Sequence, residues 1–282
     1  MKSVSVSGYA RLRASSRLEQ FLTRRQYAEG KLHDADAIHD LRVSIRRLAQ
    51  CLRTFRGVLA PLPARKMRKG LRRLMALCAA VRNCDVAIEV LQQAGAIDNQ
   101  RKSRLLSARR DAERALQEHL TDGCRWRKRK WLKLLRISAQ KGAEWVPGES
   151  VQVNLSTMLP ALTDEFFEKG RTAKKNSDLE SWHEFRLHAK RFRYTLELFR
   201  RFYGSEMIRC LQDLRELQEH LGGINDCMTT VSMLKEDREA AAAVHCLLGE
   251  REARFRRYWR YYSARLQERW KNWMRQPISV TK

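Results

Sequence analysis

Two segments of the chain carry a histidine followed by arginine and lysine residues at helical spacing. The first runs from His39 to Phe55 as HDLRVSIRRLAQCLRTF, and the second runs from His183 to Phe199 as HEFRLHAKRFRYTLELF. Arginine offers a planar fork of donors that fits phosphate oxygens, and lysine adds a point charge. Histidine donates one hydrogen bond when it is neutral and two when it is protonated. These residue types indicate an anion-binding site.

If both segments are helices, their cations lie in one stripe each. At about 100° per residue, the cations lie about 80 to 160° around the helix from the apolar positions. The first basic stripe consists of His39, Arg42, Arg46 and Arg53, and the second consists of His183, Arg186, Lys190 and Arg193. Like charges on successive turns destabilise an empty helix, so the stripes favour a bound anion.

A charged face that contacts only solvent is the alternative interpretation of each stripe. Its local partners would be Asp40, Glu184 or Glu197. For a single isolated helix this alternative would be preferred. The stripe recurs at matched positions 144 residues apart, from His39 to His183, and this recurrence favours the anion site.

The repetition extends to the segments that follow, so the chain is expected to consist of two related halves. Downstream of the first stripe, Leu74, Leu77, Val81, Asn83 and Asp85 are echoed by Leu214, Leu217, Leu221, Asn225 and Asp226. The predicted halves are residues 1–146 and 147–282, joined by a linker at 142–153 that contains Pro147 and Gly148.

The elements that must position the stripes are predicted to be helices. Only 13 Gly and 5 Pro occur among 282 residues, which favours an all-α fold. Predicted helices cover 9–29, 34–59, 64–93, 99–141, 155–174, 179–202, 205–235 and 237–274, and the fourth could break at Asp122 and Gly123. The apolar stripes that would face the core are Leu41, Ile45, Leu48, Leu52, Phe55 and Leu59, and Phe185, Ala189, Phe192, Leu196, Phe199 and Tyr203. We expect two antiparallel four-helix bundles that are related by pseudo-symmetry.

The net charge of +25 calls for an anionic partner with many charges. Nucleic acid, polyphosphate and an anionic membrane surface all qualify, and a generically basic protein is the alternative. No apolar run has the length of a signal peptide or approaches the ~20 residues of a membrane span, so we expect a cytoplasmic protein without a membrane partner. Seven scattered cysteines without a CxxC pair are interpreted as reduced and buried, and no metal is expected.

Further basic positions lie outside the two stripes. The helix after the first stripe carries Lys66, Lys69 and Arg73, with Arg65 and Arg72 beside them, and the second half is poorer in charge here. Asp85 and Asp226 could orient the arginines of the stripes. A helix cap or a salt bridge between helices is an equally good role for these two acids.

The C-terminal helix mixes basic and aromatic residues, a pattern that can stack single-stranded bases. Its residues of these types are Arg254, Phe255, Arg256, Arg257, Tyr258, Trp259, Arg260, Tyr261, Tyr262, Arg265, Trp270 and Trp273. Packing of the aromatic side chains in the core is the more ordinary explanation. The run from Arg125 to Trp131 could likewise dock on a polyanion or simply be solvated.

The two segments resemble those of the CHAD family, the conserved-histidine α-helical domains. The resemblance rests on the motif HxxRVxxRRL at His39–Leu48, on HxxRxxxKRxRY at His183–Tyr194, and on Asn225 with Asp226. It implies paired four-helix bundles around a basic central cavity that binds inorganic polyphosphate, often at polyphosphate granules. Two departures thin the basic surface: Ala49 stands where an arginine is common, and Asn83-Cys84-Asp85 stands where an Arg-Asp pair is common. Some relatives carry a CYTH triphosphatase barrel, but no ExExK motif occurs, so a stand-alone module is expected.

Together, the residue patterns and the resemblance predict a non-catalytic protein without a cofactor that binds a polyanion in a central basic cleft, and the resemblance selects inorganic polyphosphate as that polyanion. The predicted binding residues are His39, Arg42, Arg46, Arg47, Arg53, Lys66, Lys69, Arg73, His183, Arg186, Lys190, Arg191 and Arg193. A nucleic-acid-binding protein that uses the C-terminal helix is the alternative, and weaker binding of nucleic acid is compatible with the main prediction. A phosphotransfer enzyme with His39 or His183 as nucleophile or acid is disfavoured, because no carboxylate ligands for a divalent metal flank them.

Overall fold

The computed structural model describes residues 4–121, 128–135, 145, 149–176, 178–234 and 236–277. Within these residues the chain forms nine α-helices and one 3-10 turn, and no β-strand. The helices are α1 Val6–Glu29, α2 Ala35–Thr54, α3 Pro61–Gln93, α4 Asn99–Thr121, α5 Lys128–Leu134, α6 Val151–Asn176, α7 Leu179–Phe199, α8 Gly204–Met233 and α9 Arg238–Met274. The expected all-α class is confirmed, and the pseudo-symmetric arrangement of two bundles stays a prediction.

Several helix ends differ from the predicted ones for identifiable reasons. The first helix begins at Val6 rather than at residue 9, because the Ser5 side chain accepts a hydrogen bond from the Gly8 N–H at 3.2 Å and caps it. Pro61 and Pro63 lie in the first turn of α3 instead of before it, where the missing proline N–H has no intrahelical partner to lose. α2 ends at Thr54, five residues earlier than expected, and the carbonyl of Thr54 accepts a hydrogen bond from the indole of Trp145 at 2.8 Å.

The described residues form two compact units. The N-terminal unit lies within Lys2–Asp85 and Asn99–Val151, and the C-terminal unit lies within Val86–Asp98 and Gln152–Lys282. α3 therefore contributes to both units, because the division falls between Asp85 and Val86. The predicted halves, 1–146 and 147–282, do not divide α3 in this way.

The core of the N-terminal unit lies between α1 and α2, which pack against each other. Tyr9 of α1 contacts Phe55 edge-on at 6.3 Å, and the ring of Trp145 stacks on Phe55 at 5.4 Å. All six residues of the predicted apolar stripe of α2 are at most 2% exposed. This burial fixes the rotation of α2 and leaves its basic stripe outside the core.

The C-terminal unit is held together by an aromatic core, in which α8 packs against both α7 and α9. Phe166 of α6 stacks on Phe192 of α7 at 4.8 Å, and Trp259 of α9 lies 4.9 Å from Phe185. The predicted apolar stripe of α7 and the turn after it is buried, with no member more than 3% exposed. The second basic stripe is thereby turned away from this core.

Candidate functional site

The first basic stripe lies on α2 at the border between the core and solvent. α2 begins after Asp34, whose side chain accepts a hydrogen bond from the Asp36 N–H at 2.8 Å. His39 and Arg53 are exposed, whereas the predicted binding residues between them are half-buried, namely Arg42, Arg46 and Arg47. Half-burial shields the guanidinium groups from water and strengthens their interaction with an anion.

The electrostatic surroundings of His39 are positive. Partial desolvation by the surrounding protein lowers the pKa of its imidazole below the ordinary value, and the charges of Arg46, Arg42 and Arg82 lower it further, while Asp40 opposes them. Three guanidinium groups therefore act on one imidazole, and one of them belongs to α3. An anion that approached this group would meet four donors from two helices.

The second basic stripe lies on α7 of the C-terminal unit with a similar pattern of exposure. Asp178 caps this helix by accepting a hydrogen bond from the Ser181 N–H at 2.7 Å. His183 is exposed, and Arg186 and Lys190 are half-buried, as are their counterparts Arg42 and Arg46. Arg191 is exposed, whereas Arg47, which matches it, is half-buried. The repeated motif thus gives matched exposure at its first three cationic positions.

His183 is oriented by a residue of the neighbouring helix. Its Nδ1 lies 3.0 Å from Oδ1 of Asn225 on α8, and the amide nitrogen of Asn225 donates to Thr229 Oγ1 at 3.3 Å. Because the amide nitrogen is directed to Thr229, the oxygen of Asn225 accepts a hydrogen from Nδ1 of His183. The Nε2 atom remains available for a ligand.

The acidic neighbours of the stripes have different roles. Glu197 pairs with Arg193 at 3.2 Å on the same helix, and both side chains are at most 14% exposed. Arg193 also lies 4.7 Å above the ring of Tyr194. Asp40, in contrast, pairs with Arg24 of α1 at 3.1 Å. The alternative of local carboxylate partners thus describes Arg193 well, and this residue is the weakest ligand candidate of the second stripe.

Asp85 joins two helices of the N-terminal unit. Its Oδ1 accepts a hydrogen bond from Arg109 Nε of α4 at 2.6 Å, and its Oδ2 lies 3.8 Å from Arg82. Arg109 also pairs with Glu113 and donates to the carbonyl of His33 at 3.3 Å. Of the roles left open by the sequence, Asp85 therefore has that of a salt bridge between helices.

The additional cations predicted on α3 are all on the protein surface. Lys66, Lys69 and Arg73 are exposed, and they lie in the first half of this 33-residue helix. Their assignment as ligands stays a prediction.

The aromatic residues of α9 mostly belong to the core. Phe255, Trp259 and Trp270 are at most 5% exposed. Tyr258 lies 4.5 Å from the ring of His220 and 4.2 Å from that of Tyr262. Tyr261, in contrast, is 64% exposed. Packing thus accounts for the large rings of this helix, and Tyr261 is its most exposed aromatic side chain.

The structure describes the basic run at 125–131 and the cysteines only in part. Residues 125–127 and Cys124 lie outside the described residues. Lys128 pairs with Glu19 at 2.8 Å, and Trp131 is buried 6.0 Å from the ring of Phe21.

Of the six described cysteines five are buried as expected, whereas Cys246 is exposed, so the interpretation of all seven as buried was wrong. Cys246 lies on a solvent-exposed face of α9, with Ala242, Gly249 and Glu250 exposed one turn away.

Within the described residues, no group of three or more His, Cys, Asp or Glu side chains is placed to hold a metal ion. The same part of the chain contains no helix with the length and apolar character needed to span a membrane.

The sequence model of the CHAD domain matches residues 16–235, which is more than three quarters of the chain. The chain belongs to the CHAD family. Both basic stripes fall inside the match, whereas α9 begins after it, at Arg238. The sequence match to the CHAD domain therefore includes the stripes and ends before the basic aromatic helix.

Solved structures share the CHAD fold over nearly the whole chain. The crystal structure of the CHAD domain from the plant Ricinus communis is 21% identical, with a TM-score of 0.62 over 98% of this chain and 94% of that one. PptA from Streptomyces chartreusis is 15% identical, with a TM-score of 0.61 over 96% of this chain and 99% of that one. At these identities the likeness shows the fold alone. No curated protein matches the chain.

Two residues of this CHAD protein gain roles that the helical periodicity did not indicate. Arg82 of α3 acts on His39, and Asn225 of α8 orients His183. A helical-wheel projection describes one helix and cannot reveal partners on another helix. The only available signal was the recurrence of an asparagine and an aspartate after the leucines of α3 and α8.

Proposed function

We propose that this CHAD protein binds inorganic polyphosphate through the two basic stripes and leaves the polymer chemically unchanged. The observation that carries the proposal is the matched exposure of the repeated cations. In each stripe the histidine is exposed and the next two cations, Arg42 and Arg46 or Arg186 and Lys190, are half-buried. Membership of the CHAD family supports polyphosphate as the anion.

The chemistry of the stripes suits a chain of phosphates. Each internal phosphate carries about one negative charge, so several cations on successive helical turns can each contact a different unit of one polymer. Guanidinium forks donate two parallel hydrogen bonds to phosphate oxygens. His183 adds a donor at Nε2 when its ring is protonated, because its Nδ1 is held by Asn225. Multiple weak charged contacts predict an affinity that falls steeply with salt.

Binding without catalysis is supported by the residues around the stripes. Phosphoryl transfer generally uses a divalent metal held by carboxylates. Two carboxylates on the helices that carry the stripes are engaged with arginines, Asp40 with Arg24 and Glu197 with Arg193. Incubation of long-chain polyphosphate with the protein should therefore leave its length distribution unchanged on a gel. Shortened polymer would contradict this part of the proposal.

The test of binding is a titration of long-chain polyphosphate by calorimetry. The test variant carries Arg42→Glu, Arg46→Glu, Arg186→Glu and Lys190→Glu, and we expect its affinity to fall at least a hundredfold. The matched control changes four exposed cations elsewhere to Glu, namely Lys102, Arg104, Arg110 and Lys175. Both variants alter the net charge equally, so an equal loss in both would reduce the proposal to general charge attraction. Circular dichroism should show that both variants keep the helical content of the wild type.

Nucleic acid is the second candidate ligand, and the 64% exposure of Tyr261 beside Arg257, Arg260 and Arg265 favours it. Competition separates the two ligands. Single-stranded RNA at equal charge concentration should displace little polyphosphate, and Tyr261→Ala should leave polyphosphate affinity unchanged. Efficient displacement by RNA would favour the nucleic-acid function instead.

The proposal extends to location in the cell. A protein that binds long polyphosphate should gather at polyphosphate granules in the cytoplasm. A fluorescent fusion should coincide with a polyphosphate stain, and the four-residue stripe variant should spread evenly. Coincidence that persists in that variant would show recruitment by another route.

A further inference from the structure

Three arginines at the beginning of α3 and one that precedes this helix form a cluster that is separate from the basic stripe of α2. Arg65, Arg68 and Arg72 follow each other by three and four residues and therefore share one face of the helix. Arg56 lies in the segment between α2 and α3. We call these four residues the arginine cluster.

The members of the arginine cluster lie close enough to repel each other. Burial lowers the pKa of the half-buried Arg68 guanidinium, and the charges of Arg56, Arg72 and Arg65 lower it further. Guanidinium groups lose protons so reluctantly that they remain charged. The folded protein therefore keeps four positive charges together at a cost in stability.

Other arginines of the same unit are neutralised by carboxylates. Arg24 pairs with Asp40 at 3.1 Å, and Arg109 pairs with Asp85 at 2.6 Å. For the arginine cluster, the charges that act on Arg68 are all positive. In the described part of the chain no carboxylate pairs with a member of the cluster. Among the described residues, the cluster therefore lacks the carboxylate compensation that Arg24 and Arg109 have.

The fold itself does not require arginine at these positions. The leucines of α3 recur in α8 at an offset of 140, from Leu74 to Leu214. The same offset places Ser205, Ile208 and Gln212 opposite the three arginines of α3, and α8 forms a regular helix there. The three charges on α3 are therefore specific to the first repeat and are not required for helix formation.

We propose that the arginine cluster is a second phosphate-binding site, which takes phosphates of an inorganic polyphosphate chain outside the basic stripes. The identity of the ligand rests on the proposed function. Four guanidinium forks from two segments match the many oxygens of neighbouring phosphates. Sites for single-stranded nucleic acid usually add aromatic rings that stack on bases, and residues 56–73 contain no aromatic residue.

The cluster can be tested with tripolyphosphate, which is too short to engage many sites at once. Calorimetry should show that Arg68→Gln with Arg72→Gln removes one bound tripolyphosphate per chain. In the four-residue stripe variant, which lacks two cations of each stripe, the same change should weaken the remaining binding at least tenfold. The matched control, Lys102→Gln with Arg104→Gln on α4, should change affinity less than twofold.

Two further measurements keep the outcomes distinct. Arg68→Lys with Arg72→Lys preserves charge and removes the forks, so it should give an intermediate affinity if the guanidinium geometry matters. Unchanged stoichiometry and affinity in the Gln variant would overturn the arginine cluster even if the stripes bind polyphosphate. Loss of the cluster's binding together with a wild-type response of the stripe variant would overturn the proposed stripes instead. Displacement of tripolyphosphate by an equal charge of single-stranded DNA would overturn the choice of ligand.

Discussion

The imidazole of His183 donates its Nδ1–H to Oδ1 of Asn225 across 3.0 Å, and this bond links α7 to α8. In the neutral ring the remaining nitrogen, Nε2, can only accept a hydrogen bond. A phosphate oxygen also only accepts. Only the doubly protonated ring of His183 can donate to a polyphosphate chain from Nε2, and Asn225 fixes the direction of that donation.

Replacement of Asn225 by alanine should weaken polyphosphate binding about fivefold, which corresponds to about 1 kcal/mol for one lost orienting hydrogen bond. Nitrogen NMR of the His183 side chain should show a mixture of tautomers in place of the Nδ1–H form. Asn176→Ala is the matched control, because Asn176 donates to Ser181 at 3.1 Å near the beginning of the same helix. Unchanged affinity together with a changed tautomer would show that His183 does not contact the polymer.

The pH dependence of binding should reflect His39. Partial desolvation, followed by the charge of Arg46, lowers the pKa of His39 below its ordinary value of 6.5, so the ring is neutral in the empty protein at neutral pH. A bound polyanion supplies negative charge and raises that pKa. Polyphosphate should therefore bind more tightly as the pH falls from about 7.5 to about 5.5, with uptake of protons. Titrations in buffers of different ionisation enthalpy would count those protons.

The lowered pKa of His39 also affects the stability of the empty protein: a fall in pH strengthens binding but destabilises the fold. Because the pKa of His39 is lowered on folding, the unfolded chain binds this proton more tightly. His39 stabilises the folded protein fully above pH 6.5, and the contribution is lost as the pH falls through the lowered pKa. His39→Gln should reduce both the proton uptake on binding and the loss of stability in acid. Proton uptake equal to that of the wild type would remove His39 from the ligand set.

Gly170 allows α6 and α9 to approach closely. A Cβ atom at this position would lie 2.1 Å from a ring carbon of Trp259, which is buried. Gly170→Ala should therefore lower the free energy of unfolding by about 1 to 3 kcal/mol, the range typical of overpacked cores. Gly249→Ala on α9 is the control, because a Cβ there meets nothing within 4 Å and alanine favours a helix by about 0.5 to 1 kcal/mol. Urea denaturation of both variants measures the difference, and equal stability would contradict the packing of α6 on α9.

Much of the fold could be predicted from the sequence because helical periodicity and breakers act locally. The apolar stripe from Leu41 to Leu59 was predicted to face the core and is buried. The end of α2 was harder to predict, because the carbonyl of Thr54 binds the indole of Trp145, which lies 91 residues further along the chain. A contact between such distant positions leaves no periodic signal.

The candidate site was predictable to the same extent. The cations on one helix, such as Arg42 and Arg46, follow from spacing alone. Residues on other helices that act on the stripes do not follow from spacing. Examples are Arg82, which acts on His39, and Asn225, which binds His183. Arg193 lies at the spacing of the stripe, but it forms an ion pair with Glu197 in which both side chains are largely buried, and this burial depends on the packing of the helices. The assignment of roles therefore required the packing of the helices.

The central claim is that both repeated stripes bind polyphosphate, and two double variants test it most directly. One carries Arg42→Glu with Arg46→Glu, and the other carries Arg186→Glu with Lys190→Glu. The measurement is the slope of log Kd against log salt concentration for long-chain polyphosphate, which reports the number of phosphate contacts. We predict that each double variant binds at least tenfold more weakly and that both slopes fall by a similar amount. A wild-type affinity and slope in either variant would contradict binding by both stripes.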